Sequence, residues 1–170
     1  MRACRAIFGV SLLSLAFAFG PVRADAPAPS SQGPWLGVWK LNVEKSQFHT
    51  NKPPVGTDRT YSMTAAGPDS FDILILSKTP EGKQTMHMET KGARFDGKDY
   101  QEVGNPFADR NRFKLTGPRS YEFVETKNGV EVITISAEIS ADGKTRTSRQ
   151  KSVGRDGKPI ENVAVWDKQP

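Results

Sequence analysis

The sequence predicts an all-β fold, an up-and-down antiparallel β-barrel of about nine or ten strands. Turn chemistry is the first reason. Asp-Gly-Lys occurs at 96–98, 142–144 and 156–158, and Asn128-Gly129 adds a fourth turn of the same kind. Asn-Gly and Asp-Gly favour positive φ at both central positions, as a type I′ hairpin requires. The second reason is the alternation of apolar and polar residues between turns, which from Asn128 onward lie about 11 to 15 residues apart and so imply long strands. The third is that no helical periodicity persists beyond two turns anywhere after residue 24.

Met1–Ala24 reads as a secretory signal peptide. Arg2 and Arg5 precede an apolar run from Ile7 to Phe19, Pro21 breaks it, and Val22-Arg23-Ala24 offers a small-x-small cleavage pattern. The run is too short for a membrane span, which needs about 20 apolar residues. The expected location is therefore secreted or periplasmic, without a membrane span. The whole chain of 170 residues carries a formal charge of +5. If Arg2, Arg5 and Arg23 leave with the leader, the 24 basic residues fall by three, to 21, against 19 acidic. That balance argues against nucleic acid as a partner. The single cysteine, Cys4, lies in the leader and precedes its apolar run, so disulfides, thiolate catalysis and a lipid-bearing cysteine are set aside.

Residues 25–34, rich in Pro, Ala and Ser, read as a flexible linker with nothing to bury. A single domain is expected over 35–170. It opens with Trp35-Leu36-Gly37-Val38-Trp39-Lys40-Leu41-Asn42, strand-like, with Trp39 closing one barrel end and Trp35 beside it. Val43–Phe48 could form one helical turn before Lys52-Pro53-Pro54 ends it. Arg59–Ala65 alternates with Tyr61 and Met63 on one face. Phe71–Leu76 is apolar on both faces, and Gln84–Thr90 alternates with Met86 and Met88 together. Tyr121–Thr126, Val130–Ile139, Thr145–Val153 and Ile160–Lys168 then follow one another as a meander.

The Gly37-Val38-Trp39 opening followed by a β-meander is similar to the start of the calycin barrels, the lipocalins and fatty-acid-binding proteins. Trp39–Asn42, Asp96-Gly97-Lys98-Asp99-Tyr100, Val103–Pro106 and Asp142–Thr145 together resemble a group of small secreted bacterial proteins of uncharacterised function. That resemblance implies a lipocalin-like barrel and brings no established activity. Fatty-acid-binding proteins end in an Arg-x-Tyr that holds a carboxylate inside the barrel. Here the corresponding stretch is Ala164-Val165-Trp166, so that arginine is missing.

The expected inward set is Tyr61, Met63, Ile73, Ile75, Met86, Met88, Phe113, Leu115, Tyr121, Phe123, Ile133 and Ile135. These residues either pack on one another or line a pocket for a small amphipathic or hydrophobic ligand, because both uses want the same residue types. Thr145–Val153 is polar on both faces, so a closed barrel must turn one polar face inward. Arg146, Ser148 and Gln150 share one face, Arg149 and Lys151 the other. Arg149, mid-strand, is taken as the inward charge, with Glu125 and Glu138 as internal partners or a bound anion in their place.

Other constellations have plainer readings. His87 between Met86 and Met88 could ligate a metal or a haem, but core methionines with a surface histidine account for the pattern, and no metal or cofactor is expected. The basic residues Arg110, Arg112 and Lys114, and those from Arg146 to Lys158, read as solvated strand faces before they read as an anion-binding surface. Most of the single carboxylates, Glu122 among them, read as outward. Neither a nucleophile motif nor a catalytic triad is apparent, so the case for an enzyme is thin. The alternative to ligand binding is a surface-acting protein, such as an inhibitor of an envelope or secreted enzyme, using Ala26–Pro34 as an inserting segment.

Overall fold

A computed structural model of the protein describes residues 31–49, 58–154 and 156–170. The leader expected at 1–24, most of the expected linker, and residues 50–55, where a short helix could sit, lie outside the described residues. A 3-10 turn, Gly33–Trp35, precedes ten strands: β1 (Gly37–Gln47), β2 (Asp58–Ala65), β3 (Phe71–Lys78), β4 (Gln84–Ala93), β5 (Tyr100–Val103), β6 (Arg110–Gly117), β7 (Ser120–Lys127), β8 (Val130–Ile139), β9 (Thr145–Val153) and β10 (Pro159–Lys168). Each strand pairs antiparallel with its sequence neighbours, and β1 pairs with β10, so the sheet closes into a barrel as expected.

The turns divide into two kinds. Asn128 and Gly129 both have positive φ, 51° and 79°, as a type I′ turn demands. The Asp-Gly turns differ from expectation, because only their glycines do: Gly97 at 73°, Gly143 at 71° and Gly157 at 77°. In each, the aspartate side chain accepts the N–H of the lysine two residues on, at 3.0 Å for Asp96, 3.1 Å for Asp142 and 3.1 Å for Asp156. Asp-Gly-Lys is thus a recurring Asx turn in which the aspartate stays in ordinary φ and the glycine alone turns left-handed.

β1 also runs further than expected. Val43–Gln47, read as a helical turn, is strand, because β10 supplies partners across a bulge between Asn42 and Gln47. Ser46 bridges that bulge: its hydroxyl donates to the Asn42 carbonyl at 2.6 Å and accepts the Val165 N–H at 2.9 Å.

One end of the barrel is plugged. Trp35, Trp39, Met63, Phe71, Phe113, Tyr121 and Ile139 are buried there almost completely. The Trp39 indole N–H donates to the Trp35 carbonyl at 3.0 Å, and the Trp35 and Tyr121 rings meet edge to face at 4.4 Å. The end of the expected linker joins this plug: Gln32 is buried, and its amide donates to the carbonyls of Gly67 and Pro68 at 2.9 and 3.2 Å. β5 is the weak seam. It pairs only through Glu89–Val103 and Thr90–Glu102 on one side, and through Tyr100–Asn111 and Gln101–Arg110 on the other. Gly104 (φ 84°) follows it so close to β4 that a Cβ would lie 2.0 Å from the His87 carbonyl oxygen.

If the aromatic plug holds the barrel closed, Trp39→Ala should lower unfolding stability by about 3–5 kcal/mol, a large share of a small domain's total. Urea unfolding would measure this, and a loss under about 1 kcal/mol would mean that closure does not depend on the plug.

Candidate functional site

Beyond the plug the barrel is hollow. A cavity of about 670 Å³ occupies its interior and reaches the surface where exposed His49 and Phe107 line its mouth. This volume falls within the ligand-pocket range of about 300–1,000 Å³. Most of its wall is apolar, because alternate residues of each strand point inward.

Tyr61 of β2, Ile73 and Ile75 of β3, Met86 and Met88 of β4, Phe113 of β6, Tyr121 and Phe123 of β7, and Ile133 and Ile135 of β8 all line it. Met63 and Leu115 do not. Both point inward, but they belong to the plug: Met63 is buried against it and Leu115 packs on it. Strand alternation gives the face of a residue and not its height along the barrel.

Arg149 does not line the cavity either. It is exposed, and Arg146, Ser148 and Gln150 form the inward face of β9. The reason is register: Arg146 stands opposite Ile139 on β8 and Trp166 on β10, both buried, while Arg149 stands opposite Ser136 and Val163. Glu138, an expected internal partner, is exposed, and Glu125 is inward without touching Arg149.

Arg146 is 5% exposed and sits in an aromatic cage. Its Cζ lies 4.0 Å from the Tyr61 ring centre, 5.7 Å from that of Tyr121 and 5.8 Å from that of Trp166. One guanidinium nitrogen, Nη2, donates to the Tyr121 hydroxyl at 2.6 Å. Among the described residues Nε and Nη1 have no acceptor, and the Trp166 Nε1 donor and the hydroxyls of Ser148 and Tyr61 are likewise unpartnered. Cation–π contact offsets part of the cost of burying this charge, by about 2 kcal/mol, and leaves its remaining donors unmet.

A second polar group lies on β5 and β7. Glu102 and Glu125 are buried, and the Asn105 side-chain N–H₂ donates to both, at 3.3 Å to Glu102 Oε1 and 3.4 Å to Glu125 Oε2. Beside them Asn111 donates to Thr90 Oγ1 at 2.6 Å. Burial pushes the Glu102 carboxyl up to about 7, against the pull of the Asn105 amide. Burial, and then the neighbouring Glu102 charge, push Glu125 up to about 8.

The sequence offers Glu125 as an internal partner for Arg149, a pairing the structure does not make, and gives no sign of Glu102. For Glu125 a signal existed, because it shares its strand face with Tyr121 and Phe123. For Glu102 the strand of four residues is too short to show alternation.

The remaining candidates lie outside the cavity. His87 is on the outer face, with Nε2 2.8 Å from Glu89 Oε1. Arg112 pairs on the exterior with Glu131 and, at 3.7 Å, with Asp99; Lys151 pairs with Glu161 at 3.8 Å.

No family model and no curated protein matches the chain. Solved structures do. The wild-type fluorescent protein UnaG is 15% identical, with a TM-score of 0.53, the match covering 81% of this chain and 99% of that one. Rv2717c from M. tuberculosis is 16% identical, with a TM-score of 0.50 over 84% of this chain and 99% of that one. These similarities show a shared β-barrel fold.

The raised carboxyls make stability depend on pH. Unfolded glutamates release their protons near 4.5, whereas Glu102 and Glu125 hold theirs to about 7 and 8. The native state therefore binds more protons than the unfolded one across that window, and stability falls as pH rises through it and levels off above it. Urea midpoints at pH 5, 7 and 9 should show this fall in the wild type and a smaller one in Glu102→Gln/Glu125→Gln. Equal pH dependence in the two proteins would contradict the burial of these groups.

Proposed function

We propose that this barrel binds a small amphipathic ligand in its cavity, with the apolar body against the isoleucine and methionine walls and an acceptor-bearing or anionic head at Arg146. The observation that carries the reading is a buried guanidinium with two unmet donors facing a chamber of about 670 Å³. A packed core would not retain it, since a buried charge without acceptors costs several kcal/mol, and an acceptor delivered by a ligand recovers that cost. Trp166 Nε1 and the Ser148 and Tyr61 hydroxyls add hydrogen-bonding atoms around the same head. With the leader expected at 1–24, the binding takes place in the periplasm or outside the cell. The role is one of carrying or sequestering, without catalysis.

8-Anilinonaphthalene-1-sulfonate, which joins an apolar body to an anionic head, is a suitable probe. Its fluorescence should rise on binding the wild type. Arg146→Met should weaken that binding at least about tenfold, the worth of one charge-assisted hydrogen bond, with an unchanged circular dichroism spectrum. Arg149→Met should bind as the wild type does. Absence of binding, or equal affinity in Arg146→Met, would refute the assignment.

A further inference from the structure

The cavity holds two polar groups of opposite character. At Arg146 three of the unmet atoms, its Nε and Nη1 and Trp166 Nε1, can only donate. At Glu102 and Glu125 the unmet atoms are acceptors: Glu102 Oε2 and the Asn111 side-chain carbonyl have no partner among the described residues, and Asn111 is only 2% exposed. The donor shared by the two carboxyls, Asn105 Nδ2, is already divided between them. The Asn111 carbonyl is a further unmet acceptor, contributed by β6 and by neither acid.

We infer that Glu102 and Glu125, with Asn111, form a second recognition site that takes a protonated amine of the bound ligand. The inference rests on the reading of the barrel as a ligand chamber and narrows its ligand class to cationic or zwitterionic amphiphiles. An alkylammonium group carries three N–H donors and no acceptor, which matches the unmet acceptors of this site. It also supplies the positive charge that the pair lacks: among the described residues no lysine or arginine lies within ion-pair distance of either carboxyl.

The inward residues of the adjoining strands, Thr90 of β4, Asn111 of β6 and Ile133 of β8, are uncharged. The other titratable groups on the cavity wall are Tyr61, Tyr121, Arg59, Arg146 and His49. A bound ammonium stabilises the ionised carboxyls, so binding releases protons and strengthens as pH rises from 6 to 8, where an alkylamine, like lysine at about 10.4, stays charged.

Calorimetric titration with octylamine and octanol, which differ only in the head group, tests this. At pH 8 octylamine should bind the wild type at least about tenfold more tightly than octanol, as a charge-assisted hydrogen bond provides. That preference should shrink at pH 6 and vanish in Glu102→Gln/Glu125→Gln. The double variant should still bind octanol as the wild type does, which reports an intact chamber, and Arg146→Met should keep the preference. Octylamine binding no more tightly than octanol would overturn the inference and leave the chamber reading standing, with the pair sharing a proton only. A preference that survives both substitutions would place the amine elsewhere and also overturn it. Failure of both compounds to bind would overturn the chamber reading and this inference together.

Discussion

Closure of the sheet is the constraint on which the rest of this structure depends. Once β1 pairs with β10, every strand must commit alternate side chains to a single interior, whatever their chemistry. Strands rich in apolar residues, such as β3 and β8, meet that demand without cost. β9 cannot, because both of its faces are polar, and β5 and β7 each deliver a glutamate. The barrel therefore contains polar groups because its topology puts them there, and the question becomes what satisfies them.

The interior answers this differently at its two levels. At the plugged end large aromatic rings fill the cross-section, and the buried indole of Trp39 has the Trp35 carbonyl as acceptor. Trp35 Nε1 and Gln32 Oε1 are unpartnered there among the described residues, but neither residue lines the cavity. Above the plug, side chains of medium length leave the middle open, and Arg146, Glu102 and Asn111 keep unmet donors or acceptors. Buried polar atoms in native proteins are nearly always paired, so a group of them around one cavity marks a place where pairing is supplied from outside the chain. The weak pairing of β5 fits this arrangement. Its four residues hold Glu102 in place, and Gly104 permits the close passage against β4 that brings Asn105 over both carboxyls.

Much of the fold was legible in the sequence because a closed meander has simple rules. Turn residues mark hairpins, and the parity of apolar residues marks the inner face. Parity correctly placed Ile73, Ile75, Met86, Met88, Phe113 and Ile133 inside. It could not separate Met63 and Leu115, which fill the plug, from those that line the chamber, since height along the axis depends on strand stagger. It was silent on Arg146 against Arg149, because a strand polar on both faces has no apolar parity. There the deciding fact is the company of Trp166 and Ile139 across the ladder. Glu125 had the right parity and the wrong charge for an interior position. The Asp-Gly turns were located correctly, and their conformation was not, because the aspartate side chain caps the turn and removes the need for a second left-handed residue.

The central claim is that the interior above the plug is a chamber and not a core, and Ile135→Trp tests it most directly. Ile135 sits between Phe123 and Gln150 on neighbouring strands, with all three facing the cavity. In a packed interior an enlargement of this size costs about 1–3 kcal/mol. In a chamber the indole enters open space and buries apolar surface, so the urea unfolding midpoint should stay at or above that of the wild type. A midpoint lowered by the amount typical of overpacking would show that the space is already filled and that the barrel holds a core where a chamber is claimed.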